Sequence, residues 1–558
     1  MKMKHLLLVS CLATTIFTAQ AQWSKTYQPR KADIAANNDL ATIDSQGNVI
    51  VAGIFNEEFK FGTTDLSPIA KSTYLVKYNA SGEEQWAVAF SGSATVTALT
   101  TDPANNTYIA GNFADEVVFG STDGNTQTKR GILDDDSQPI TDQGACFLAK
   151  YSQAGILLKI ETYLPGPLNI TDPEIMYDGY FNLKCSITHL EFSDKLYASV
   201  ITTGIVENND ITLNGTYYDI FGSMYENIQS AALISLNDDL QFSKLYIKLC
   251  PPDGEAFQFD VKYPQFNKSG NAIYFAVVTL GNQKLAINGT EKTINLPFDG
   301  ENFSMGYIIV KINATTGEEI VTRTFQATAQ DYYALSLRTL NSLFYNNNLL
   351  ITGTFNGNLT FDETVSATEE DIFAVALDAM DLSQIVFAKS SNTTGNESFA
   401  SAAIYDGKLN VAYNTANQSS GIFSVNLTDG VTNITSEEAA NTYTNALFAA
   451  GSKLVKVKAT TSSKENAVST VTVSSENVAT AIHTPGSAAS AIRFHPNPVV
   501  NTLYLSETGN VDIYNTLGVL VKQAVAVNQV SVENLPAGIY FAVVKNAGNT
   551  GKIKFVKN

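Results

Sequence analysis

From about residue 40 to 475 the chain alternates short apolar, β-branched runs with polar turns, and the runs recur in order. Residues 49–62 read V-I-V-A-G-I-F-N-E-E-F-K-F-G, residues 107–120 T-Y-I-A-G-N-F-A-D-E-V-V-F-G, and residues 349–362 L-L-I-T-G-T-F-N-G-N-L-T-F-D. A second element follows as Y-L-V-K-Y-N at 74–79, F-L-A-K-Y-S at 147–152, A-L-I-S-L-N at 232–237, I-I-V-K-I-N at 308–313, F-A-V-A-L-D at 373–378 and G-I-F-S-V-N at 421–426. Runs of this length between turn residues read as strands. The first unit parses into four: Leu40 to Ile43 (a), Val49 to Phe55 (b), Tyr74 to Tyr78 (c) and Gln85 to Phe90 (d). Similar units start near 98, 189, 266, 343, 402 and 446. Four-stranded units repeated in this number predict an all-β fold, a seven-bladed β-propeller over residues 22–475. A row of β-sandwich domains is disfavoured, because the units are short and no linkers separate them.

The last unit supplies only three strands of its own, at Leu447-Phe448, Lys453 to Ala459 and Ala467 to Val473. The segment Gln22-Trp23-Ser24-Lys25-Thr26-Tyr27 is similar to strand d of the first unit, Gln85-Trp86-Ala87-Val88-Ala89-Phe90. The N-terminal segment is therefore expected to complete the last unit, with Trp23 and Trp86 as equivalent packing residues. They are the only two tryptophans, so the obvious sugar-stacking side chains are spent on packing.

The run Y-L-V-K-Y-N-A-S-G-E-E-Q-W, followed by A-L-T-T-D-P-A-N-N-T-Y-I-A-G-N-F, resembles the bacterial β-propeller repeats called SBBP. The resemblance covers residues 40–122 and fades beyond about 390. It implies a propeller and no particular activity.

The two ends read as addresses. Lys2 and Lys4, an apolar core from Leu6 to Phe17 and Ala19-Gln20-Ala21 form a signal peptide over residues 1–21, with cleavage expected between Ala21 and Gln22. Leu8-Val9-Ser10-Cys11 offers a lipobox-like alternative, but cleavage before Cys11 would leave only Leu6 to Val9 as apolar core. No run is long enough for a transmembrane anchor. Residues 476–491 are rich in Ser, Ala and Thr and read as a linker. Residues 492–558 carry short strand-like runs and suit a small β-sandwich.

This tail holds Phe494-His495-Pro496-Asn497-Pro498, Val511-Asp512-Ile513-Tyr514-Asn515 with Leu517-Gly518, Leu535-Pro536-Ala537-Gly538-Ile539-Tyr540 and a closing Gly551-Lys552-Ile553-Lys554-Phe555. It resembles the type A C-terminal sorting domain of the type IX (Por) secretion system. Pro496, Asn497, Pro498, Gly518, Pro536, Gly538 and Tyr540 carry the match; His495 stands where that family often has Tyr. The resemblance implies a Gram-negative host of the Bacteroidetes type. It also implies outer-membrane secretion machinery as a partner, removal of the tail, and release or attachment at the cell surface.

The net charge of −19 disfavours nucleic-acid binding. Removing the leader leaves Cys146, Cys185 and Cys250, so at most one internal bridge can form. A Cys185–Cys250 bridge is conceivable, with three buried thiols as the bland alternative. No cofactor motif is visible, and the cysteine spacing fits no zinc site. Asp134, Asp135, Asp136 and Asp142 could hold calcium, but no EF-hand spacing is present and a solvated acidic loop is preferred. Asp44-Ser45-Gln46-Gly47-Asn48 looks metal-like yet recurs at the a–b position, as hairpins do. His189 is the one histidine in the propeller region, too few for a triad.

The leading functional expectation is a secreted or surface binding protein for a glycan or protein. The alternatives are a polysaccharide hydrolase or lyase using paired carboxylates, and a structural or adhesive surface protein. Antiparallel strands put the a–b and c–d turns at one end of the ring and the longer b–c and d–a connections at the other. The long set carries Tyr177, Tyr180, Tyr217, Tyr218 and Tyr263, which mark that end, around units two to four, as the candidate ligand face.

Overall fold

The computed structural model describes residues 23–31, 39–69, 72–133, 144–166, 183–214, 216–220, 224–250, 260–296, 305–328, 337–393, 395–416, 419–436, 441–450, 453–461, 468–477, 494–495, 499–515, 520–546 and 549–557. It forms two compact units, residues 1–480 and 481–558. All regular elements among the described residues are strands.

In the larger unit the strands come in antiparallel meanders. The first is Leu40–Ile43, Val49–Phe55, Ser72–Tyr78 and Glu84–Ser91; the second is Ala94–Thr101, Thr107–Phe113, Ala145–Tyr151 and Leu157–Tyr163. Cys185–Phe192, Leu196–Thr202, Ser230–Leu236 and Phe242–Cys250 make the third, and Asp260–Ser269, Ala272–Leu280, Met305–Asn313 and Glu319–Thr328 the fourth. The fifth uses Leu337–Tyr345, the first part of Asn348–Thr360, the second part of Thr364–Asp378, and Gln384–Ser390. Glu397–Tyr405, Lys408–Thr415, Ser420–Asn426 and Thr432–Ser436 follow. The final meander is Thr442–Ala450, Lys453–Thr461 and Val468–Asn477. Within each, the strands are called a to d in chain order. Strands b and c are near-continuous apolar runs, buried at every position in the first unit, as expected where both faces of a sheet are covered.

Trp23–Lys31 completes the final meander as its outer strand. It pairs antiparallel with Val468–Asn477, with Trp23 opposite Ser475 and Tyr27 opposite Val471. The a strands touch one another in succession, and strand a of the final unit touches both its predecessor and Leu40–Ile43. The circuit is therefore closed, and the fold is all-β and propeller-like.

Side chains stitch the seams between successive a strands. Thr97 Oγ1 donates to Ile187 O (2.6 Å), Thr188 Oγ1 to Pro264 O (3.0 Å), Ser401 Oγ to Leu447 O (3.1 Å), and Asn445 Nδ2 to Asp39 Oδ2 (2.6 Å). The b–c connections of units two, four and five fold into hairpins that extend the outer edge of the preceding unit. Glu116–Gly120 joins strand d of unit one, Gln283–Ile287 joins strand d of unit three, and residues 358–360 join strand d of unit four. This explains the second half of the recurring sequence frame. The aromatics of its F-x-F-G and V-V-F-G segments bridge two units: Phe119 packs on Phe90 of unit one and on Phe147 of its own, and Phe61 on Tyr27 of the final sheet and on Tyr78 of its own.

The tight turns are hairpins, as expected. Asp44 accepts from the backbone N–H groups of Gln46 and Asn48 (2.9 Å each) and pairs with the buried Lys77 ammonium (2.9 Å).

In the smaller unit the strands Phe494–His495, Thr502–Asn515, Leu520–Ser531, Gly538–Asn546 and Asn549–Lys557 form one hydrogen-bonded network. The sequence suggests six short strands, but four of them merge pairwise into two long irregular ones, Thr502–Asn515 and Leu520–Ser531. The core is Val499, Leu503, Val511, Ile513, Val530, Ala542, Val544 and Phe555.

Candidate functional site

A cavity of ≈ 770 Å³ opens at the end of the larger unit that carries the b–c and d–a connections, across units two to four. Three local features build it. Strand a of each of these units carries an irregularity at the same place: Val96/Ala98, Ile187/His189 and Lys262/Gln265. In units two and three one residue is extra, Thr97 or Thr188, and its hydroxyl turns sideways to the next strand a. In unit four two residues, Tyr263 and Pro264, fall between the paired positions. Pro264 has no N–H to give a ladder, and its carbonyl accepts from both Thr188 Oγ1 and Ser199 Oγ (2.9 Å). Tyr263 sits at φ +52°, a region that costs a bulky side chain and favours glycine. Its side chain is carried out to the cavity lip and is 39% exposed. Bulges that re-aim a side chain in this way gather at binding and active sites.

The rest of the wall mixes polar groups with the apolar Phe113, Ala114 and Ile201. Ser186 Oγ donates to Asn112 Oδ1 (2.8 Å), the Asn112 amide donates to Cys185 O, and Lys184 N donates to Thr203 Oγ1 (2.7 Å). Lys184 and Lys262 are exposed at the rim. Among the described residues the wall contains no carboxylate and no histidine, against a chain with net charge −19. A second cavity, ≈ 800 Å³, lies at the opposite end, where the turns of units one and two meet beside Trp86, Gln46 and Gln153. Gln153 Nε2 already donates to Gln46 Oε1 there (3.0 Å), and Gln153 O takes the Trp86 indole N–H (2.9 Å).

Of the five marked tyrosines, Tyr263 stands at the cavity. Tyr217 and Tyr218 pair with Asn227 and Glu226 in the hairpin of Thr216–Ile220 and Met224–Ile228. Tyr177 and Tyr180 lie outside the described residues, as do Ala21, Gln22, the Asp134–Asp136 and Asp142 group, Pro496, Asn497, Pro498 and Gly518. In the tail, Tyr540 is buried, stacks on Phe555 (5.7 Å between centroids) and donates its hydroxyl to Pro536 O (2.9 Å). That bond fixes the corner leading into the Gly538 strand.

Four other titratable groups sit in packed or hydrogen-bonded surroundings. His189 meets Phe266 edge-on (4.9 Å), and burial lowers its pKa to about 4, so it is neutral at pH 7. Glu191, two residues on, accepts the Lys268 N–H (3.1 Å), and burial pushes it up to about 7. Asp371 and Glu397 are a buried carboxylate pair, both raised chiefly by burial. Ser391 Oγ bonds both (3.1 and 2.6 Å), and Thr393 Oγ1 and Ile372 N complete Glu397 (2.6 and 3.3 Å). Among the described residues no group of three or more His, Cys, Asp or Glu is placed to hold a metal ion.

Two features lacked a signal in the sequence. One is a fully buried ion pair, Arg30 with Asp39, where Asp39 also accepts from Tyr74 Oη (2.8 Å) and Asn445. The other corrects the thiol pairing. Cys185 and Cys250 lie on strands a and d of one sheet, three strand spacings or roughly 14 Å apart at about 4.8 Å each. That exceeds the reach of about 7 Å for a bridge. Cys185 instead faces Cys146, Sγ to Sγ 2.9 Å, and both are buried.

The fold and tail together define an exported, propeller-like all-β protein. Residues 493–558 match the family described as secretion system C-terminal sorting domain, and this tail directs the chain by the type IX route to the cell surface or exterior. Among the described residues no helix is long and apolar enough to cross a membrane. The chain is similar to the uncharacterized WD repeat-containing protein L264 of Acanthamoeba polyphaga mimivirus, 30% identical over 161 residues. That match covers 26% of this chain and 11% of the viral protein. Two solved structures are among those it is similar to. The polysaccharide lyase Uly1 is 10% identical with a TM-score of 0.43, over 80% of this chain and 91% of its own. BamB from Moraxella catarrhalis is 11% identical with a TM-score of 0.30, over 82% of this chain and 100% of its own.

Proposed function

We propose that the chain is a secreted or surface-attached binding protein, a seven-bladed propeller that presents the cavity of units two to four to a glycan. The leader would be cleaved between Ala21 and Gln22, residues 476–491 would act as a linker, and the tail would be a small sandwich used for export. The observation that carries the binding reading is Tyr263, held at positive φ on a two-residue bulge and exposed at the cavity lip. Its ring is a stacking face, and the hydroxyl and amide groups around it are donors and acceptors suited to a polyhydroxylated ligand. A hydrolase would need paired carboxylates about the bond to be broken. The described pair, Asp371 and Glu397, is buried and already hydrogen-bonded.

Screening the exported chain on a glycan array, with turnover assayed on every hit, tests this. Tyr263→Ala should weaken binding at least tenfold while leaving the melting temperature within about 2 °C, since a half-exposed rim side chain contributes little to the core. Turnover of a bound polysaccharide would replace this reading with the enzyme. Binding that survives Y263A and maps to the turns beside Trp86 would place the working face at the other end.

A further inference from the structure

The seam between units two and three brings two cysteines together by means that do not depend on the sulfurs. Gly144 N donates to Leu183 O and Cys185 N to Gly144 O, both at 2.9 Å, so 144 and 184 form a parallel bridge. The Asn112 amide adds a bond to Cys185 O. Cys146, on strand c of unit two, and Cys185, opening strand a of unit three, are thereby laid side by side, both buried, with 2.9 Å between sulfurs. Their surroundings are apolar: Leu148, Tyr163, Ile187 and Val200 belong to the same cluster. Among the described residues no third ligand is placed there to hold a metal. The tail commits the chain to export, through compartments where disulfides form and persist.

We propose that the exported protein carries a Cys146–Cys185 disulfide that clamps unit two to unit three, with Cys250 left as a thiol. The two thiols lose two protons and two electrons as the S–S bond forms. The acceptor is the disulfide of a periplasmic thiol–disulfide oxidoreductase, which leaves as the dithiol. Attack requires a thiolate. Burial raises the Cys146 thiol well above its ordinary pKa, so the exchange belongs to folding, before the seam closes. Cys185 also lines the cavity, and the clamp would hold the Gly144 and Lys184 sides of its wall at a fixed spacing whether or not a ligand is present.

The test uses the full chain exported from a Gram-negative host. Denatured without reduction, it should take up one maleimide, at Cys250, and after reduction three. A non-reducing digest should yield the Cys146 and Cys185 peptides joined, lighter by two hydrogens than their sum. Cys146→Ser, Cys185→Ser and the double variant should lower the melting temperature by the same amount, because either change alone removes the whole bond. If the singles fail to accumulate, the labelling and digest of the natural chain still decide the question. Three labels on the unreduced chain, or a peptide joining Cys250 to either partner, would overturn the proposal.

Discussion

Two outer strands do the same job by different routes. Glu84–Ser91 follows its sheet through a tight turn, whereas Trp23–Lys31 reaches the final sheet from the far end of the chain. Their packing is equivalent side chain by side chain. Trp86 lies on Gly155 in the c–d turn of unit two, and Trp23 on Gly82 in the c–d turn of unit one; a Cβ on either glycine would come within 2.7 or 2.4 Å of the indole. Phe90 packs on Phe119 at 5.0 Å, and Tyr27 on Phe61 at 5.8 Å.

The differences lie at the two ends of the strand. The Trp86 N–H reaches Gln153 O, but the matching acceptor beside Trp23, Ala80 O, is taken by Lys453. The remote strand has instead the buried pair of Arg30 with Asp39, for which strand d of unit one has no counterpart. Gly53 leaves room for it, since a Cβ there would lie 2.0 Å from Asp39 Oδ1. A strand tethered by a short turn keeps its register for little entropy. A strand arriving from a terminus needs a specific contact, and a buried polar pair is a register device that apolar packing alone does not supply.

The largest effect on this comparison should come from deleting residues 22–30. The final sheet would lose its outer strand and expose the edge of Val468–Asn477, a template for aggregation. Calorimetry should show a broad, early transition in place of a cooperative one. An unchanged melting profile would mean that the remote strand is dispensable, unlike its counterpart.

Arg30→Met should come next, at roughly 3–5 kcal/mol by chemical denaturation, because it strands the buried Asp39 carboxylate. Adding Asp39→Asn should restore most of that loss, since the amide oxygen can still accept from Tyr74. Additive costs from the two changes would show that the pair is not a coupled lock.

The smallest effect concerns the seam of units three and four. Glu191, raised to about 7, keeps a proton that the unfolded chain releases near 4.3. Its contribution is full below that value and is lost as pH rises through 7. His189, lowered to about 4, contributes above the unfolded value near 6.5, and that contribution is lost as pH falls toward 4. The two slopes oppose each other where they overlap. Glu191→Gln should leave only the histidine slope, so that the melting temperature climbs with pH and exceeds that of the natural chain at pH 8. Coincident melting curves from pH 4 to 8 would show that Glu191 meets solvent as freely in the folded chain as in the unfolded one.

The sequence alone carried most of what depends on neighbours along the chain. Apolar runs between turns located the strands of each unit, including strand c of all six quoted examples. The Trp-x-x-x-aromatic likeness of 23–27 to 86–90 identified the strand that closes the final sheet, and the tail motifs identified the export route. Tertiary structure decided what depends on residues that meet only across a seam. Cys146 meets Cys185 across 39 positions, and Asn445 meets Asp39 across 406. Strand order within the sheet is what excludes the Cys185–Cys250 pair. Loop composition marks Tyr263, yet its exposure at the cavity follows from a bulge whose extra residues have no partner on Ala272–Leu280. Arg30 reads as one more charged residue near a terminus, and only the closing of the ring buries it. Periodicity is written in consecutive residues and survives reading one chain at a time. A seam is made by two strands that share no local pattern, so its contacts exist only once both are in place.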